Sequence, residues 1–285
     1  MTRSGIRRLR AATGVRLYPF IHIGPLTLGS YGLMVAIGLV CAFFILRADF
    51  ARRGISADAE AIIGITGLSG LAASRLYHLL ETPAEFFADP WPQLFSTMGF
   101  AFFGAVIGGF LALLFLARRF KMPPLLMLDA ASPAGALGYG IGRIGCLISG
   151  DGDYGIPTSL PWGMSFPNGI VPTTGSDGVC LKSGWPENCR VHPTPIYEFL
   201  IAIAIFWILW RLGAHALKTH APNGIVFAAY LVLTGIARYL IEIIRINPRS
   251  FYGLTNAQAA SVVSIVAGVI LFASRRRSSA SPRRA

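Results

Sequence analysis

The sequence has few charged residues for its length, and few of those are acidic. Charged residues make up 13% of the 285, and Asp and Glu together number 13. Soluble domains carry roughly 25% charged residues. Hydrophobic residues reach 54%, with long uninterrupted runs. This composition excludes an ordinary soluble domain and predicts an integral membrane protein.

The sequence also lacks a long-period repeat and a glycine-rich phosphate loop between a strand and a helix. These absences disfavour a transporter built from repeats and a nucleotide-binding fold. The net charge of +12 would favour nucleic acid if the basic residues formed one face. Most of them instead flank apolar runs, where they set membrane topology and contact anionic headgroups. We expect a membrane-embedded protein with no nucleic-acid partner.

Only four cysteines are present. Cys41 and Cys146 fall in apolar segments, where a thiol behaves as a small hydrophobe. Cys180 and Cys189 fall in a polar loop, and an exported loop would meet oxidising surroundings that favour a disulfide. A zinc site is less favoured there, because only His192 is nearby to act as a further ligand.

Seven apolar segments approach the roughly 20 residues that a transmembrane helix needs. They predict an all-α membrane protein, a bundle of seven transmembrane helices with a long loop between the fourth and the fifth. The second and fourth segments are the weakest, because each carries an arginine and many glycines. The segments cover 28–46, 60–80, 99–117, 125–149, 194–212, 223–244 and 256–273. The chain therefore divides into a basic N-terminal segment (1–27), a membrane domain (28–273) and a basic tail (274–285).

Basic residues alternate between the connections. They are dense after the first, third and fifth segments and in the tail, and sparse in the other connections. By the positive-inside rule the tail is cytoplasmic and the 150–193 loop is extracytoplasmic. The N-terminal segment departs from this rule, since seven spans put it outside although it carries Arg3, Arg7, Arg8, Arg10 and Arg16. We give the regular alternation more weight than this exception.

When the arginines of the connections and of the N-terminal segment are set aside, Arg211 among them, four remain within or at the end of the apolar segments: Arg75, Arg143, Arg238 and Arg245. A mid-membrane arginine costs roughly 2.5–3.5 kcal/mol on insertion scales, so it is usually retained for a partner or a pathway. The alternative is snorkelling from the end of a span, which is strongest for Arg245. Beyond the first residue of each segment, the acidic residues are Asp129, Glu198 and Glu242.

Glu242 lies four residues after Arg238 and three before Arg245, on one helical face. Either these residues form a buried ion-pair ladder, or Glu242 orients an arginine whose remaining donors face a ligand. An arginine fork grips phosphate bidentately, and the bilayer supplies phosphate as phospholipid headgroups. The arginines therefore indicate a site for an anionic lipid.

The stretch 138–169 is the richest in glycine. Gly142 and Gly145 flank Arg143, and Gly138 forms a GxxxG pattern with Gly142, as Gly104 does with Gly108. Such pairs let helices pack closely, and glycine also lets a ligand approach the backbone. Asp151 and Asp153 follow in a Gly/Asp loop. They are either turn formers or acid/base groups at the mouth of a site.

Several motifs occur in a fixed order along the chain. The most distinctive is GRIG at 142–145, followed by the Gly/Asp loop that ends in YG at 154–155. The others are YGLM at 31–34, SRLYH around Arg75, HPTPIYE at 192–198 and ARYLIEIIR at 237–245. Together they cover about residues 28–250 and resemble the motifs of the prolipoprotein diacylglyceryl transferase family.

The resemblance implies an enzyme of the bacterial inner membrane. Its members move the diacylglyceryl group of phosphatidylglycerol to the lipobox cysteine thiol of a prolipoprotein signal peptide, and glycerol phosphate leaves. No cofactor or metal is implied. By similarity, Arg143 and Arg238 form the main phosphate clamp. The other residues expected to bind substrate are Tyr31, Arg75, Gly142, Gly145, Tyr197, Glu198, Glu242 and Arg245.

Three positions depart from the family pattern. Phe103, in GFAFFGA, stands where the family often has a histidine that would be the obvious general base. Cys146 stands where asparagine often follows GRxG. Asp151 stands in place of a glutamate, and Asp153 lies on a one-residue insertion.

These departures leave the proton acceptor open. It is Asp151 or Asp153, or His192, or there is no dedicated base and cationic side chains alone lower the pKa of the thiol. Two other functions were weighed against the transferase: a diverged relative that binds phospholipid but modifies another acceptor, and an anion transporter.

Overall fold

The computed structural model of the chain describes residues 17–24, 26–95, 99–175, 178–187, 189–247, 249–250 and 252–280. Within these ranges it forms ten helices and two short two-stranded antiparallel sheets. The helices are α1 (Ser30–Arg53), α2 (Ala59–Glu81), α3 (Pro83–Ala88), α4 (Pro90–Phe95), α5 (Phe102–Arg119), α6 (Pro124–Ser149), α7 (Val179–Lys182), α8 (Thr194–Lys218), α9 (Ile225–Ile243) and α10 (Asn256–Ala280). The strands are β1 (Phe20–Ile23), β2 (Leu26–Gly29), β3 (Pro157–Thr158) and β4 (Arg190–Val191).

The seven longest helices coincide with the seven apolar segments of the sequence. Five of them, namely α1, α5, α8, α9 and residues 256–277 of α10, are long and apolar enough to cross a membrane. Helices α2 and α6, which arise from the two weakest segments, do not meet that measure. The chain is therefore a helical, multi-pass membrane protein, and its seven-span arrangement remains a prediction.

The helix ends follow local sequence. Asp58 caps α2, because its carboxylate accepts hydrogen bonds from the backbone N–H groups of Glu60 and Ala61 at 2.9 and 3.1 Å. Helix α6 ends at Ser149, and Gly150 follows with φ +61°, a conformation that glycine adopts without steric cost. The chain therefore leaves α6 directly into the Gly/Asp loop.

The chain forms two compact units. Unit 1 comprises Met1–Gly38, Ala136–Ile205 and Leu231–Ala267, and unit 2 comprises Leu39–Gly135, Phe206–Tyr230 and Gly268–Ala285. All the site residues expected from the sequence fall in unit 1, with the exception of Arg75, which falls in unit 2.

In unit 2, glycines let α2 and α5 pack closely. A Cβ added at Gly104 would lie 2.5 Å from the carbonyl oxygen of Ala73, and one at Gly108 would lie 2.6 Å from that of Ser69. Real Cβ atoms do not approach so closely, so both positions need glycine. The packing role expected for this GxxxG pair is confirmed.

Asp129, also in unit 2, has a structural explanation. Its two carboxylate oxygens accept the backbone N–H groups of Gly224 and Phe227 at 2.7 and 2.8 Å, at the start of α9. The first backbone N–H groups of a helix have no partner within the helix, and a carboxylate satisfies them. Asp129 therefore caps a helix.

In unit 1, the residues that follow α6 form a small folded segment. Tyr154 stacks on Phe166 with 4.9 Å between ring centroids, and Cys180 and Cys189 are joined by a disulfide next to them. The disulfide expected from the sequence is thus present. This core fixes the loop whose first residues include Asp151 and Asp153.

Strands β1 and β2 form a hairpin in unit 1 that was not predicted from the sequence. Phe20 pairs with Gly29 at its open end, and the neighbouring Tyr18 donates its backbone N–H to the carbonyl oxygen of Ile148 in α6 at 3.2 Å. The arginines expected to conflict with the topology, Arg3, Arg7, Arg8, Arg10 and Arg16, lie outside the described residues.

Candidate active site

Three arginines and three carboxylates meet in unit 1. Helix α6 supplies Arg143, α8 supplies Glu198, and α9 supplies Arg238 and Glu242, while Arg245 follows α9 and Asp153 comes from the loop after α6. We call these six residues the ion cluster. Each arginine is ion-paired with at least two of the carboxylates.

Glu198 lies at the centre of the ion cluster. One oxygen, Oε1, accepts hydrogen bonds from Arg238 Nη1 at 2.9 Å and from the hydroxyl of Tyr139 at 2.6 Å. The other oxygen, Oε2, is 3.7 Å from Arg143 Nη1 and 3.6 Å from Arg245 Nη1. Its side chain is 4% exposed, so a single buried carboxylate contacts all three guanidinium groups.

Glu242 links the two arginines on either side of it in the sequence. Its Oε2 is 2.8 Å from Arg238 Nη2 and 3.8 Å from Arg245 Nε, and its Oε1 accepts a 2.6 Å hydrogen bond from the side-chain amide of Asn247. The shared helical face inferred from the sequence is present for Arg238 and Glu242, but its extension to Arg245 is wrong, because α9 ends at Ile243. Arg245 does not snorkel into solvent, because its side chain is 5% exposed and paired.

Asp153 bridges two arginines from different elements. Its Oδ2 accepts from Arg143 Nη1, and its Oδ1 accepts from Arg245 Nη2. Burial by itself would raise the pKa of Asp153, but the guanidinium groups of Arg143 and Arg245 outweigh it and lower the pKa to about 2. Asp153 is therefore ionised at any physiological pH.

Local backbone contacts hold Asp153 in this position. Gly155 donates its N–H to the carbonyl oxygen of His192 at 2.9 Å, and Ile156 donates to that of Ile244 at 2.8 Å. A Cβ on Gly155 would lie 2.5 Å from the Ile244 oxygen, so this approach to the end of α9 requires glycine. Thr194 adds a 2.6 Å hydrogen bond from its hydroxyl to the Asp153 carbonyl oxygen.

Asp151 has different surroundings from Asp153. It accepts a 3.2 Å hydrogen bond from the backbone N–H of Asp153, and the thiol of Cys146 is its side-chain partner. Burial, followed by repulsion from Asp153, raises the pKa of Asp151 above its usual value. The two aspartates of the loop are therefore electrostatically distinct, since one is fixed as an anion and the other takes up a proton more readily.

The flanking glycines of Arg143 differ in their surroundings. A Cβ on Gly145 would lie 3.2 Å from the Cα of Tyr31 and 3.1 Å from the Cβ of Met34, so Gly145 allows α1 to approach α6. A Cβ on Gly142 would meet nothing within 4 Å. Gly145 brings Tyr31 beside the helix that carries Arg143, and Gly142 faces open space.

His192 and Tyr197 form a separate hydrogen-bonded group. His192 Nδ1 is 3.3 Å from the Tyr197 hydroxyl, which also accepts a 2.8 Å hydrogen bond from the indole N–H of Trp162. Among the described residues, neither the His192 ring nor the Tyr197 hydroxyl contacts an ion-cluster side chain through a hydrogen bond or ion pair. Among the described base candidates, Asp153 belongs to the ion cluster and Asp151 adjoins it through its hydrogen bond from the Asp153 N–H.

Arg75 belongs to unit 2 and is described by its contacts there. Its Nη1 donates to the carbonyl oxygen of Gly99 at 2.7 Å, and its guanidinium carbon is 5.7 Å from the ring centroid of Phe100. The residue is buried. Phe103, which stands where a histidine was expected, is 37% exposed in the same unit.

Several residues around the ion cluster were not singled out from the sequence. Tyr139 donates to Glu198 and also places its ring 5.0 Å from the Arg143 guanidinium carbon. Its spacing of four residues from Arg143 on a helix was the available signal. Cys146, interpreted from the sequence as a small hydrophobe, places its thiol near Asp151, and no local pattern predicts that contact.

Among the described residues, one cluster of side-chain atoms could act as ligands of a metal ion. The Sγ of Cys146 and carboxylate oxygens of Asp151 and Asp153 lie within 4.8 Å of one another. Both Asp153 oxygens already accept from arginines, and guanidinium groups repel a cation. The arrangement fits an anion better than a metal ion.

Comparison with known proteins gives a consistent picture. The family model described as "Prolipoprotein diacylglyceryl transferase" matches residues 19–274. A protein of Clostridium tetani named "Phosphatidylglycerol--prolipoprotein diacylglyceryl transferase" is 31% identical over 251 residues, which is 85% of this chain and 91% of the relative. Proteins of the same name from Geobacter sulfurreducens and Bifidobacterium longum subsp. infantis are 30% and 31% identical, covering 82% and 88% of this chain and 84% and 81% of the relatives.

Proposed function

Because the chain belongs to the prolipoprotein diacylglyceryl transferase family, we propose that its ion cluster is the site at which it acts. The chain is a transferase that moves the diacylglyceryl group of phosphatidylglycerol to a prolipoprotein. The acceptor is the thiol of the lipobox cysteine. The thiolate sulfur bonds to the glycerol carbon that carries the phosphate, and the carbon–oxygen bond breaks, so glycerol phosphate leaves with that electron pair.

The convergence of three guanidinium groups on Glu198 carries this proposal. All three lie within 3.7 Å of its carboxylate, at a point where helices α6, α8 and the end of α9 supply the side chains. Charge develops on the phosphate oxygen as the carbon–oxygen bond breaks, and pre-positioned cations stabilise that charge. Arg143 and Arg238 bind the phosphate, and Arg245, which shares Asp153 with Arg143, adds a third guanidinium group to the same phosphate.

Two further groups line the approach to Arg143. Tyr31 lies beside Gly145, and Gly142 leaves space next to the arginine, so a headgroup can approach the backbone of α6 there. Glu198 and Glu242 orient the guanidinium groups. Tyr197 and Arg75 are assigned to lipid binding from the motif resemblance.

Asp151 is the base that the electrostatics support. A carboxylate whose pKa is held at about 2, as in Asp153, is a poor acceptor for the proton of a thiol, because proton transfer is most effective between groups of matched pKa. Asp151 has a raised pKa and already has a thiol, that of Cys146, as its side-chain partner. Thiolate formation assisted only by the arginines is the second choice, and His192 is the third.

The topology follows the distribution of basic residues. We propose seven spans, with the C-terminal tail in the cytoplasm and the 150–193 loop on the extracytoplasmic side of the bacterial inner membrane. The Cys180–Cys189 disulfide within that loop supports its export, because disulfides persist in oxidising compartments. An exported prolipoprotein signal peptide would reach the ion cluster from that side.

The two other functions weighed from the sequence are not favoured. Both the family model and the relatives bear the name of one transferase, over most of the chain. A relative that uses another acceptor, or an anion transporter, would have to keep all the motifs while abandoning the reaction.

Complementation tests the proposal directly. A bacterium depleted of its own diacylglyceryl transferase should grow when it expresses this chain and should accumulate lipid-modified prolipoprotein. An Arg143→Ala variant, present in the membrane at the same level, should support neither. Unmodified prolipoprotein in cells that contain the wild-type chain would contradict the proposed activity.

A further inference from the structure

We propose that the carboxylate of Asp153 occupies the position of the substrate phosphate in the resting enzyme and rotates away from Arg143 and Arg245 when the lipid headgroup binds. This inference rests on the proposed function, because it assumes that the ion cluster receives a phosphate group. It gives Asp153 a role separate from that of the base. The residue competes with the substrate and with the departing glycerol phosphate for the same two arginines.

The charge balance of the ion cluster requires such an exchange. Three guanidinium groups face three carboxylates, so the cluster is neutral before a ligand arrives. The phosphodiester of phosphatidylglycerol brings one further negative charge. An uncompensated charge in a buried site is strongly unfavourable. One carboxylate must therefore give up its arginines to the phosphate.

Burial identifies Asp153 as the carboxylate that leaves. Its side chain is 30% exposed, whereas those of Glu198 and Glu242 are 4% and 0% exposed. Glu198 and Glu242 also hold hydrogen bonds from the neutral donors Tyr139 and Asn247. Within the described part of the chain, the carboxylate oxygens of Asp153 accept side-chain hydrogen bonds only from Arg143 and Arg245. A displaced Asp153 carboxylate would be hydrated at once, because part of it already faces solvent.

The geometry of the Asp153 carboxylate matches that of the ligand it would replace. Each of its two oxygens faces a different guanidinium group, as two unesterified oxygens of a phosphodiester would. Arg245 Nε and Nη1 make no hydrogen bond among the described residues, since Glu242 Oε2 and Glu198 Oε2 lie 3.8 and 3.6 Å from them. A phosphate, which has more acceptor oxygens than a carboxylate, can therefore satisfy donors that Asp153 leaves unused.

The exchange needs a rotation of one side chain rather than a movement of the loop. The Asp153 carbonyl oxygen is held by the Thr194 hydroxyl, and the backbone that follows is bonded to His192 and Ile244. Among the residues that the structure describes, no neutral group donates a side-chain hydrogen bond to the Asp153 carboxylate. The backbone can therefore stay fixed while the side chain turns toward solvent.

Ligand affinity tests this inference without depending on turnover. The full-length protein is placed in nanodiscs of uncharged lipid, and the affinity for glycerol phosphate is measured for wild type, Asp153→Asn, Asp153→Glu and Asp151→Asn. Asp153→Asn removes the competing anion and should bind about tenfold more tightly, the scale of one hydrogen bond to a charged group. Asp153→Glu keeps the charge and should stay near wild type, and Asp151→Asn should gain much less.

Three outcomes would overturn the inference. Equal or weaker binding by Asp153→Asn would mean that Asp153 does not compete with phosphate. An equal gain in Asp151→Asn would reduce the effect to general charge repulsion. The same four proteins are then measured with phosphatidylglycerol in the nanodisc, by its competition with labelled glycerol phosphate. Their affinities for phosphatidylglycerol should fall in the same order. An order that holds for glycerol phosphate alone would limit Asp153 to product retention and contradict lipid exchange.

The proposed function can fail separately. The variants could bind glycerol phosphate with the expected order of affinities while the wild-type protein transfers no diacylglyceryl group. That result would refute the transferase site and leave the exchange intact. If Asp153→Asn does not accumulate, infrared spectra of the wild-type protein with ¹³C-labelled aspartate provide a second measurement. Adding glycerol phosphate should shift an aspartate carboxylate band in wild type and not in Asp153→Glu. The absence of any shift in wild type would overturn the inference.

Discussion

The hydroxyl of Tyr139 donates a 2.6 Å hydrogen bond to Glu198 Oε1, the same oxygen that receives Arg238 Nη1 at 2.9 Å. A neutral donor and a cation thus share one buried carboxylate oxygen. The position of Glu198, and through it that of Arg238, depends on a tyrosine that makes no ion pair of its own.

Tyr139→Phe should therefore lower activity while the arginines are still present. Removing a hydrogen bond to a buried charged group costs about 1.5–3 kcal/mol, so we expect a loss of roughly tenfold or more in the transfer rate. The measurement is the initial rate of diacylglyceryl transfer in vitro. Tyr239→Phe, beside Arg238 on the same helix, is the matched control and should keep its rate. Equal rates for the two variants would contradict this role.

Replacing Arg143 tests whether a planar fork is needed. The Nη1 atom of Arg143 contacts both Asp153 and Glu198, and the planar guanidinium group lies over the Tyr139 ring. The compact ammonium group of a lysine cannot reproduce this combination of contacts. Both Arg143→Ala and Arg143→Lys should lose transfer on the order of 10²-fold or more while still inserting into the membrane. Transfer rates at matched membrane levels decide the question. Near-normal activity of Arg143→Lys would exclude a bidentate clamp.

The roles of Arg238 and Glu242 can be separated by comparing two substitutions. If Arg238 meets the phosphate and Glu242 only orients it, Glu242→Gln should reduce transfer less than Arg238→Ala does. The glutamine keeps an oxygen that can accept from Arg238 and from Asn247. Transfer rates and thermal stability are measured together, since a broken buried pair also destabilises the fold. A larger loss of transfer in Glu242→Gln than in Arg238→Ala would mean that Glu242 itself takes part in the reaction.

The pH dependence of Asp151→Asn tests the base. Burial and repulsion from Asp153 raise the pKa of Asp151, so its carboxylate accepts a proton more readily than an ordinary aspartate. As a base it works above its own pKa, and wild-type activity should fall as the pH drops through that value. Loss of a general base costs roughly 10²–10⁴-fold. Asp151→Asn should therefore be slow near neutrality.

The transfer rate of Asp151→Asn should recover at high pH. The acceptor thiol has an unperturbed pKa of about 8.5, so thiolate forms without help as the pH approaches that value. The rate of Asp151→Asn should approach wild type between about pH 8 and 9. His192→Gln, measured alongside, should follow the wild-type profile. A wild-type profile for Asp151→Asn from pH 6 to 9 would make Asp151 a turn former.

Reporter fusions test the proposed topology. A reporter enzyme that works only outside the cytoplasm should be active when inserted after Gly175, in the 150–193 loop. The same reporter should be silent when fused after Arg277, in the basic tail that the positive-inside rule keeps in the cytoplasm. A cytoplasmic reporter at the same two sites serves as the control and should give the opposite pattern. The reversed pattern in both series would invert the topology.

The sequence was sufficient for the helices and for the identity of most cluster members. Long apolar runs located all seven long helices, because a chain segment in lipid must satisfy its backbone hydrogen bonds internally and therefore forms a helix. The spacing of Arg238 and Glu242 predicted their pairing, since neighbours on one helix face interact, whereas Arg245 reaches Glu242 from beyond the end of α9. Local patterns of this kind can be read without knowing the fold.

The contacts that join distant segments could not be read in this way. Asp153 and Arg245 are 92 residues apart, and their pairing depends on the strand-like contact between Gly155 and the end of α9. The pKa values of Asp151 and Asp153 shift in opposite directions, because burial raises that of Asp151 whereas Arg143 and Arg245 lower that of Asp153, although the two residues look alike in the sequence. The hairpin of β1 and β2 could not be predicted either, because four residues are the shortest strand in which an alternating pattern can be recognised.

The order of the ion-cluster residues along the chain bears on how the protein is synthesised. A lone arginine entering the bilayer during translation would be costly to insert. Asp153 follows Arg143 by ten residues, and Glu198 precedes Arg238 by forty. Arg245 leaves the ribosome after both Asp153 and Glu242 have been made. Each arginine thus has a counter-ion made before it or shortly after it, so insertion can proceed with neutral pairs instead of isolated charges.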